Sequence, residues 1–106
     1  RPIALNLLPV FGRRYFNWFS KRSDPEHLMR FLGSPDSIEH WNEMYNLAVM
    51  RVAAERNVPV LDVRSAFLYR RVYGDDLFSA DGIHPSVEGH RRMYEFLLPQ
   101  MQHVLA

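Results

Sequence analysis

Two short apolar runs, residues 3–8 (IALNLL) closed by Pro9 and residues 58–63 (VPVLDV), flank a long stretch with helical periodicity. This strand, helix, strand order constrains the fold more than any other feature. Runs of that length read as strands buried on both faces of a parallel sheet. Between them, Ile38, Trp41, Tyr45, Ala48, Val49 and Val52 recur at three- and four-residue steps and form one stripe of a helix. Ser34, Pro35, Asp36 and Ser37 offer capping oxygens and a proline suited to a first turn, and Asn57 ahead of Val58-Pro59 offers a stop. A last helix is predicted from near Ser86, with Met93, Leu97, Met101 and Val104 on one stripe and Pro99 bending or restarting it. The alternation predicts an α/β fold with a parallel sheet between helices. Two strands make a poor sheet, so further strands are expected from sequence outside the chain or from a second chain.

The 106 residues allow one small domain and leave little room for a complete enzyme cleft. Apolar residues make up 47% and charged residues 24%, an ordinary globular composition that excludes disorder. A net charge of +1 gives no strong field for nucleic acid or anionic lipid. Without cysteine there is no disulfide scaffold, thiol nucleophile or thiolate metal site. No apolar stretch approaches the roughly 20 residues of a membrane span. The chain begins at Arg1-Pro2 with neither methionine nor a leader, and is expected to be a piece of a longer polypeptide.

Residues 12–33 interrupt the alternation and are expected to be an insertion after the first strand, with a short helix from Asp24-Pro25 to Leu32 ended by Gly33. Tyr15, Phe16, Trp18 and Phe19 there either pack under the insertion itself, shape a substrate pocket beyond the strand ends, or form an amphipathic patch against lipid.

The chemistry is concentrated in residues 77–90. Asp81 and His84 lie three apart in a loop that contains Gly82 and precedes Pro85 and a helix start. A carboxylate that accepts the imidazole Nδ1 proton leaves Nε2 able to take a proton from a hydroxyl nucleophile. The same spacing also suits a histidine that merely satisfies a helix start beside a turn aspartate. The five histidines lack paired helical spacing, and Asp75, Asp76 and Asp81 lack the spacing of a calcium loop, so neither metal nor cofactor is expected. Asp62, at a strand end, is assigned hydrogen bonds to turn amides, and His90 a place on a helix face. The basic pairs Arg13-Arg14, Arg70-Arg71 and Arg91-Arg92 are read as solvated surface.

The string Asp81-Gly82-Ile83-His84-Pro85, followed by Gly89-His90, resembles the last sequence block of the SGNH hydrolases, the GDSL esterase/lipase family. Residues 2–9 and 57–63 are similar to that family's strand after its third block and its final core strand. The resemblance implies a flavodoxin-like three-layer α/β/α sandwich, of which residues 1–106 would be the carboxyl-terminal portion. It also implies a Ser-His-Asp triad in which His84 is the base and Asp81 its orienting carboxylate, acting on a small-molecule acyl or acetyl ester.

The family's Gly-Asp-Ser-Leu-like nucleophile block and its oxyanion-hole glycine and asparagine blocks are absent from this sequence. The 33–37 segment (GSPDS) has the right letters in the wrong order, and Asn6 lies in the strand after the asparagine block. The isolated chain is therefore expected to be inactive, with a companion amino-terminal fragment or a homodimer as its partner. The alternative is a noncatalytic module of the same fold that binds carbohydrate or protein.

Overall fold

The computed structural model describes residues 1–70 and 75–106, so Arg71 of the second basic pair lies outside the described residues. The two apolar runs pair as parallel strands, β1 (Ala4–Leu5) and β2 (Val60–Leu61), with Ala4 opposite Val60 and Leu5 opposite Leu61. Both are shorter than their apolar runs, and Asn6 shows why. Its amide still donates to the Leu61 carbonyl at 3.2 Å, but its side-chain oxygen then accepts from the amides of Val63 and Arg64 at 2.8 and 3.0 Å. A side chain has replaced the next rungs of the ladder. The other edge of β1 carries the outward groups of Ile3 and Leu5, whose side chains are exposed.

The first strand leads into α1 (Gly12–Ser20), α2 (Pro25–Leu32) and α3 (Ser37–Glu55). The helix α2 follows its sequence signals: the Asp24 carboxylate accepts from the Glu26 amide, Pro25 opens the first turn, and Gly33 closes the helix at φ +78°. The aromatic stretch before it is also helical, although it has no capping side chain of its own. Glu39, 27 residues on in α3, accepts from the Gly12 amide at 2.9 Å and caps α1 from outside.

Both ends of α3 are close to where the sequence puts them. Asp36 makes no side-chain cap; instead Ser34 Oγ accepts from the Asp36 amide, Ser37 Oγ donates to the Leu32 carbonyl, and Asn57 takes φ +55° beyond the far end. The buried face, however, takes in only part of the predicted stripe, with Ile38, Ala48 and Val49 half-buried. Asn46 and Ala53 are buried, whereas Tyr45 and Val52 of the stripe are 68% and 53% exposed. Polar pairings turn the helix: Asn46 Oδ1 accepts from the Leu7 amide, and Asn42 donates to the Leu8 carbonyl and accepts from Arg64. Buried backbone groups must be satisfied, so the asparagines face the strand end and Trp41, Tyr45 and Val52 of the apolar stripe stay exposed.

Beyond β2 lie α4 (Ser65–Leu68), a 3₁₀ turn (Asp75–Leu77) and α5 (Val87–Leu105). Ser86 caps α5 by accepting from the Gly89 amide, and the helix runs on through Pro99 without restarting. Ala66, Phe67, Leu77 and Phe78 form the buried core, with Leu8, Phe11, Met93 and Phe96 packed around it. The whole is a mostly helical α/β chain around a two-stranded sheet. Its Cα radius of gyration is 15.7 Å, against about 13 Å for a closed globule of similar length.

Candidate functional site

The loop between Phe78 and Pro85 is held at its base by an antiparallel bridge between those two residues. Phe78 is rooted in the core against Phe67 and Phe11, at ring separations of 5.3 and 6.1 Å. Across the loop the Ser79 amide donates to the His84 carbonyl at 2.8 Å, and the Gly82 amide to the Ser79 carbonyl at 3.1 Å.

Gly82 has φ +74°, a region costly to residues with a Cβ. A Cβ there would also lie 2.7 Å from the Phe11 carbonyl oxygen and 2.8 Å from the Tyr15 nitrogen. The loop therefore lies directly on the first turn of α1. The Phe11 amide donates to the Gly82 carbonyl at 2.8 Å, and Arg14 donates to the Phe78 and Ser79 carbonyls at 3.2 Å. On the other side, the α5 start is pressed so close that a Cβ on Gly89 would stand 2.2 Å from the Leu77 carbonyl oxygen.

Inside this frame Asp81 divides its two oxygens. Oδ1 accepts from the Ser79 hydroxyl at 2.8 Å and from the Ile83 and His84 amides, both at 3.0 Å. Oδ2 meets His84 Nδ1 at 2.6 Å. Burial alone would push this carboxyl up, but the two amides, the imidazole and the Ser79 hydroxyl together hold it well below the ordinary carboxylate range. It is ionised at neutral pH and can only accept. Nδ1 must then carry the hydrogen, so in neutral His84 the lone pair is on Nε2. The His84 side chain is 72% exposed, against 16% for Asp81, and no hydrogen bond to Nε2 occurs among the described residues. A fixed carboxylate thus orients an imidazole whose other nitrogen is free to exchange protons with a group brought to it.

The two residues singled out from the sequence are in contact, and the structure adds supports that spacing does not reveal. Ser79 and Arg14 fix the loop; the Ser79-x-Asp81 spacing of a hydroxyl near a turn carboxylate was a legible signal, whereas nothing local points to Arg14. Asp62 has the turn role assigned to it: it accepts from the Ser65 amide, the Ser65 hydroxyl and Asn6. Its carboxyl is held below the ordinary range, the Ser65 and Asn6 hydrogen bonds outweighing burial. His90 lies on α5 with Nδ1 at 2.9 Å from the Ser86 carbonyl oxygen.

The basic pairs are largely engaged. Arg70 pairs with Asp76, Arg91 with Glu88 and Glu95, and Arg92 reaches the Ala66 and Tyr69 carbonyls. Among the described residues no group of three or more His, Asp or Glu side chains could hold a metal, and no helix is long and apolar enough to cross a membrane.

The rings of the aromatic segment pack on one another and against α3. Tyr15 stacks on Trp18 and Phe19, at 6.5 and 5.8 Å, and Phe31 stands edge-on to Trp41 at 6.1 Å. Between α1, α2 and the start of α3, Tyr15, Phe19, Phe31 and Trp41 border a cavity of about 490 Å³.

An α/β chain that presents an oriented imidazole on an exposed loop falls within the range of hydrolase architectures. The model of the GDSL-like lipase/acylhydrolase family matches residues 23–92, most of the chain, including the whole Asp81 to His84 loop. The chain belongs to this family, in keeping with its resemblance to the SGNH hydrolases. Neither the curated proteins nor the solved structures yielded a match.

Proposed function

We propose that the protein is an ester hydrolase in which Asp81 and His84 are two members of a Ser-His-Asp triad, the serine coming from sequence outside these 106 residues. The observation that carries this reading is the 2.6 Å contact between Asp81 Oδ2 and His84 Nδ1, with the exposed Nε2 left to act. A serine hydroxyl brought to Nε2 would attack the ester carbonyl as His84 takes its proton. The proton then passes to the departing alkoxide, and His84 next activates water against the acyl-enzyme. Asp81 holds the tautomer and stabilises the imidazolium. Oxyanion donors, like the serine, would belong to the blocks this sequence lacks.

On the same reading, residues 1–106 are the carboxyl-terminal portion of a single three-layer α/β/α domain. A companion amino-terminal segment, or a second copy of the chain, completes the sheet. Three features support this: the open edge of β1 at Ile3 and Leu5, the uncovered apolar stripe of α3, and the large radius of gyration. These are surfaces that a closed α/β domain buries.

Labelling by a fluorophosphonate, which reacts with activated serines, tests the proposal. The isolated chain should remain at its unmodified mass and should not turn over an aryl acetate. The polypeptide that carries the serine block should be labelled outside these residues, and His84→Ala should abolish the labelling. Labelling that survives His84→Ala would remove His84 from the mechanism. Absence of any reactive serine would favour a noncatalytic binding module.

A further inference from the structure

We propose that the basic cleft where α1 meets the loop between Phe78 and Pro85 is an anion subsite. The ester this protein takes then carries a second, negatively charged group, a carboxylate or a phosphate. This inference rests on the ester-hydrolase reading and narrows its substrate class. Residues 12–23 hold Arg13, Arg14, Lys21 and Arg22 and no acidic residue, in a chain whose net charge is only +1. Arg13, Asn17 and Lys21 recur at four-residue steps along α1 and its carboxyl-terminal cap, and so share one face. Together with Trp18, and with Ala80 of the loop, they border a cleft of about 320 Å³, within the range of small-ligand sites.

The charges in this cleft are not spent on the fold. Arg64, Arg70 and Arg91 each pair with a carboxylate. Arg13 and Lys21 are exposed, and neither has a hydrogen-bond or ion-pair partner among the described residues. Arg13 also edges the neighbouring cleft that contains Asp36 and Glu39, yet it makes no ion pair with either. Arg22 stands over the Trp18 ring at 3.9 Å and donates to the Trp18 carbonyl, which adds positive charge with no carboxylate to cancel it. Eight residues of helix separate Arg13 from Lys21 by about 12 Å, a span that two long cationic side chains close over one small anion. The amide of Asn17, midway between them, offers a further donor.

Position ties the cleft to the chemistry. Ala80 precedes Asp81 directly, and the loop is fastened to α1 by the Phe11 amide on the Gly82 carbonyl and by Arg14 on the Phe78 and Ser79 carbonyls. An anion held by Arg13 and Lys21 is therefore fixed relative to His84. A flat lipid surface would meet the outer face of α1 alone. A cleft with the loop as its second wall suits a small molecule better.

Titration of the isotope-labelled full chain with phenyl phosphate and with benzoate, followed by amide chemical shifts, tests the subsite. Both anions should shift the Asn17, Lys21 and Ala80 amides saturably, whereas phenol should not, and added salt should weaken the binding. Tighter binding of phenyl phosphate would assign the substrate group as a phosphate, and tighter binding of benzoate as a carboxylate. Arg13→Gln with Lys21→Gln should weaken the binding about tenfold at an unchanged melting temperature. Arg51→Gln, which removes the same kind of charge from α3, should leave it unaltered. In the polypeptide that carries the serine block, the double variant should raise the KM for 4-acetoxybenzoate about tenfold relative to that for phenyl acetate.

Shifts that appear equally with phenol, that survive the double variant, or that follow Arg51→Gln as closely would overturn the assignment. So would an unchanged KM ratio, or binding to phosphatidylserine vesicles while the small anions leave Ala80 unmoved. Anion binding needs no nucleophile, so its outcome is independent of the fluorophosphonate result. A labelled enzyme that binds neither anion loses the subsite and keeps the hydrolase reading.

Discussion

Asp62 and Asp81 occupy two turns built from the same parts, each with a nearby hydroxyl and backbone amides donating to a carboxylate. Asp62 spends both oxygens on the fold, Oδ1 on Asn6 and the Ser65 amide and Oδ2 on the Ser65 hydroxyl. Asp81 spends only Oδ1 in this way and gives Oδ2 to an imidazole that is mostly in solvent. The first arrangement closes a structure. The second leaves one proton-carrying group under control, and that difference separates a structural turn from a site candidate.

The largest difference between the two aspartates is expected in the activity of the polypeptide that carries the serine block. There His84→Ala should lower kcat by about 10⁶-fold and Asp81→Asn by about 10⁴-fold, measured on an aryl ester. Asp62→Asn should leave kcat per folded molecule within about twofold; a loss comparable with that of Asp81→Asn would erase the distinction.

Stability should show the reverse ranking. In urea unfolding, Asp62→Ala should cost about 3 kcal/mol, since it strands the Ser65 and Asn6 donors where β2 ends. Gly82→Ala should cost about 2 kcal/mol through its positive φ and the close Phe11 and Tyr15 backbone, and it should lower activity by tilting the loop off α1.

Acid unfolding should report on both turns. Both carboxyls are depressed in the folded chain, so their stabilisation is complete above the unfolded carboxylate pKa, near 3.9. It is lost as pH falls through their folded values. Each Asp→Asn variant should therefore flatten the stability profile below about pH 4, and equal slopes for variant and parent would count against the depressed carboxyls. The smallest effect is expected for Ser79→Ala, about 1 kcal/mol from one lost hydrogen bond to Asp81, read as a shift in the urea midpoint.

What was legible in the sequence was local. Asp24-Pro25 to Gly33 announced α2, Ser86 announced α5, and the Asp81 to His84 spacing brought together two residues that do touch. The exposed stripe of α3 misled because periodicity reports an apolar face and not whether something covers it. Asn42 and Asn46 decided which face turned inward, through backbone partners more than thirty residues away. The helix α1 carries no local start signal for the same reason, its cap being supplied by Glu39 from another helix. Long-range pairings of this kind leave no spacing to read.

The contact between Gly82 and α1 has a consequence for how such a protein can change over generations. Gly82 meets the helix mainly through the Phe11 carbonyl and the Tyr15 nitrogen, main-chain atoms that almost any residue supplies. Apart from Arg14, whose guanidinium holds the Phe78 and Ser79 carbonyls, the side chains of α1 can therefore be exchanged widely while the seat of the loop is inherited intact. A lineage could repack the aromatic helix, one substitution at a time, and keep the Asp81–His84 contact throughout.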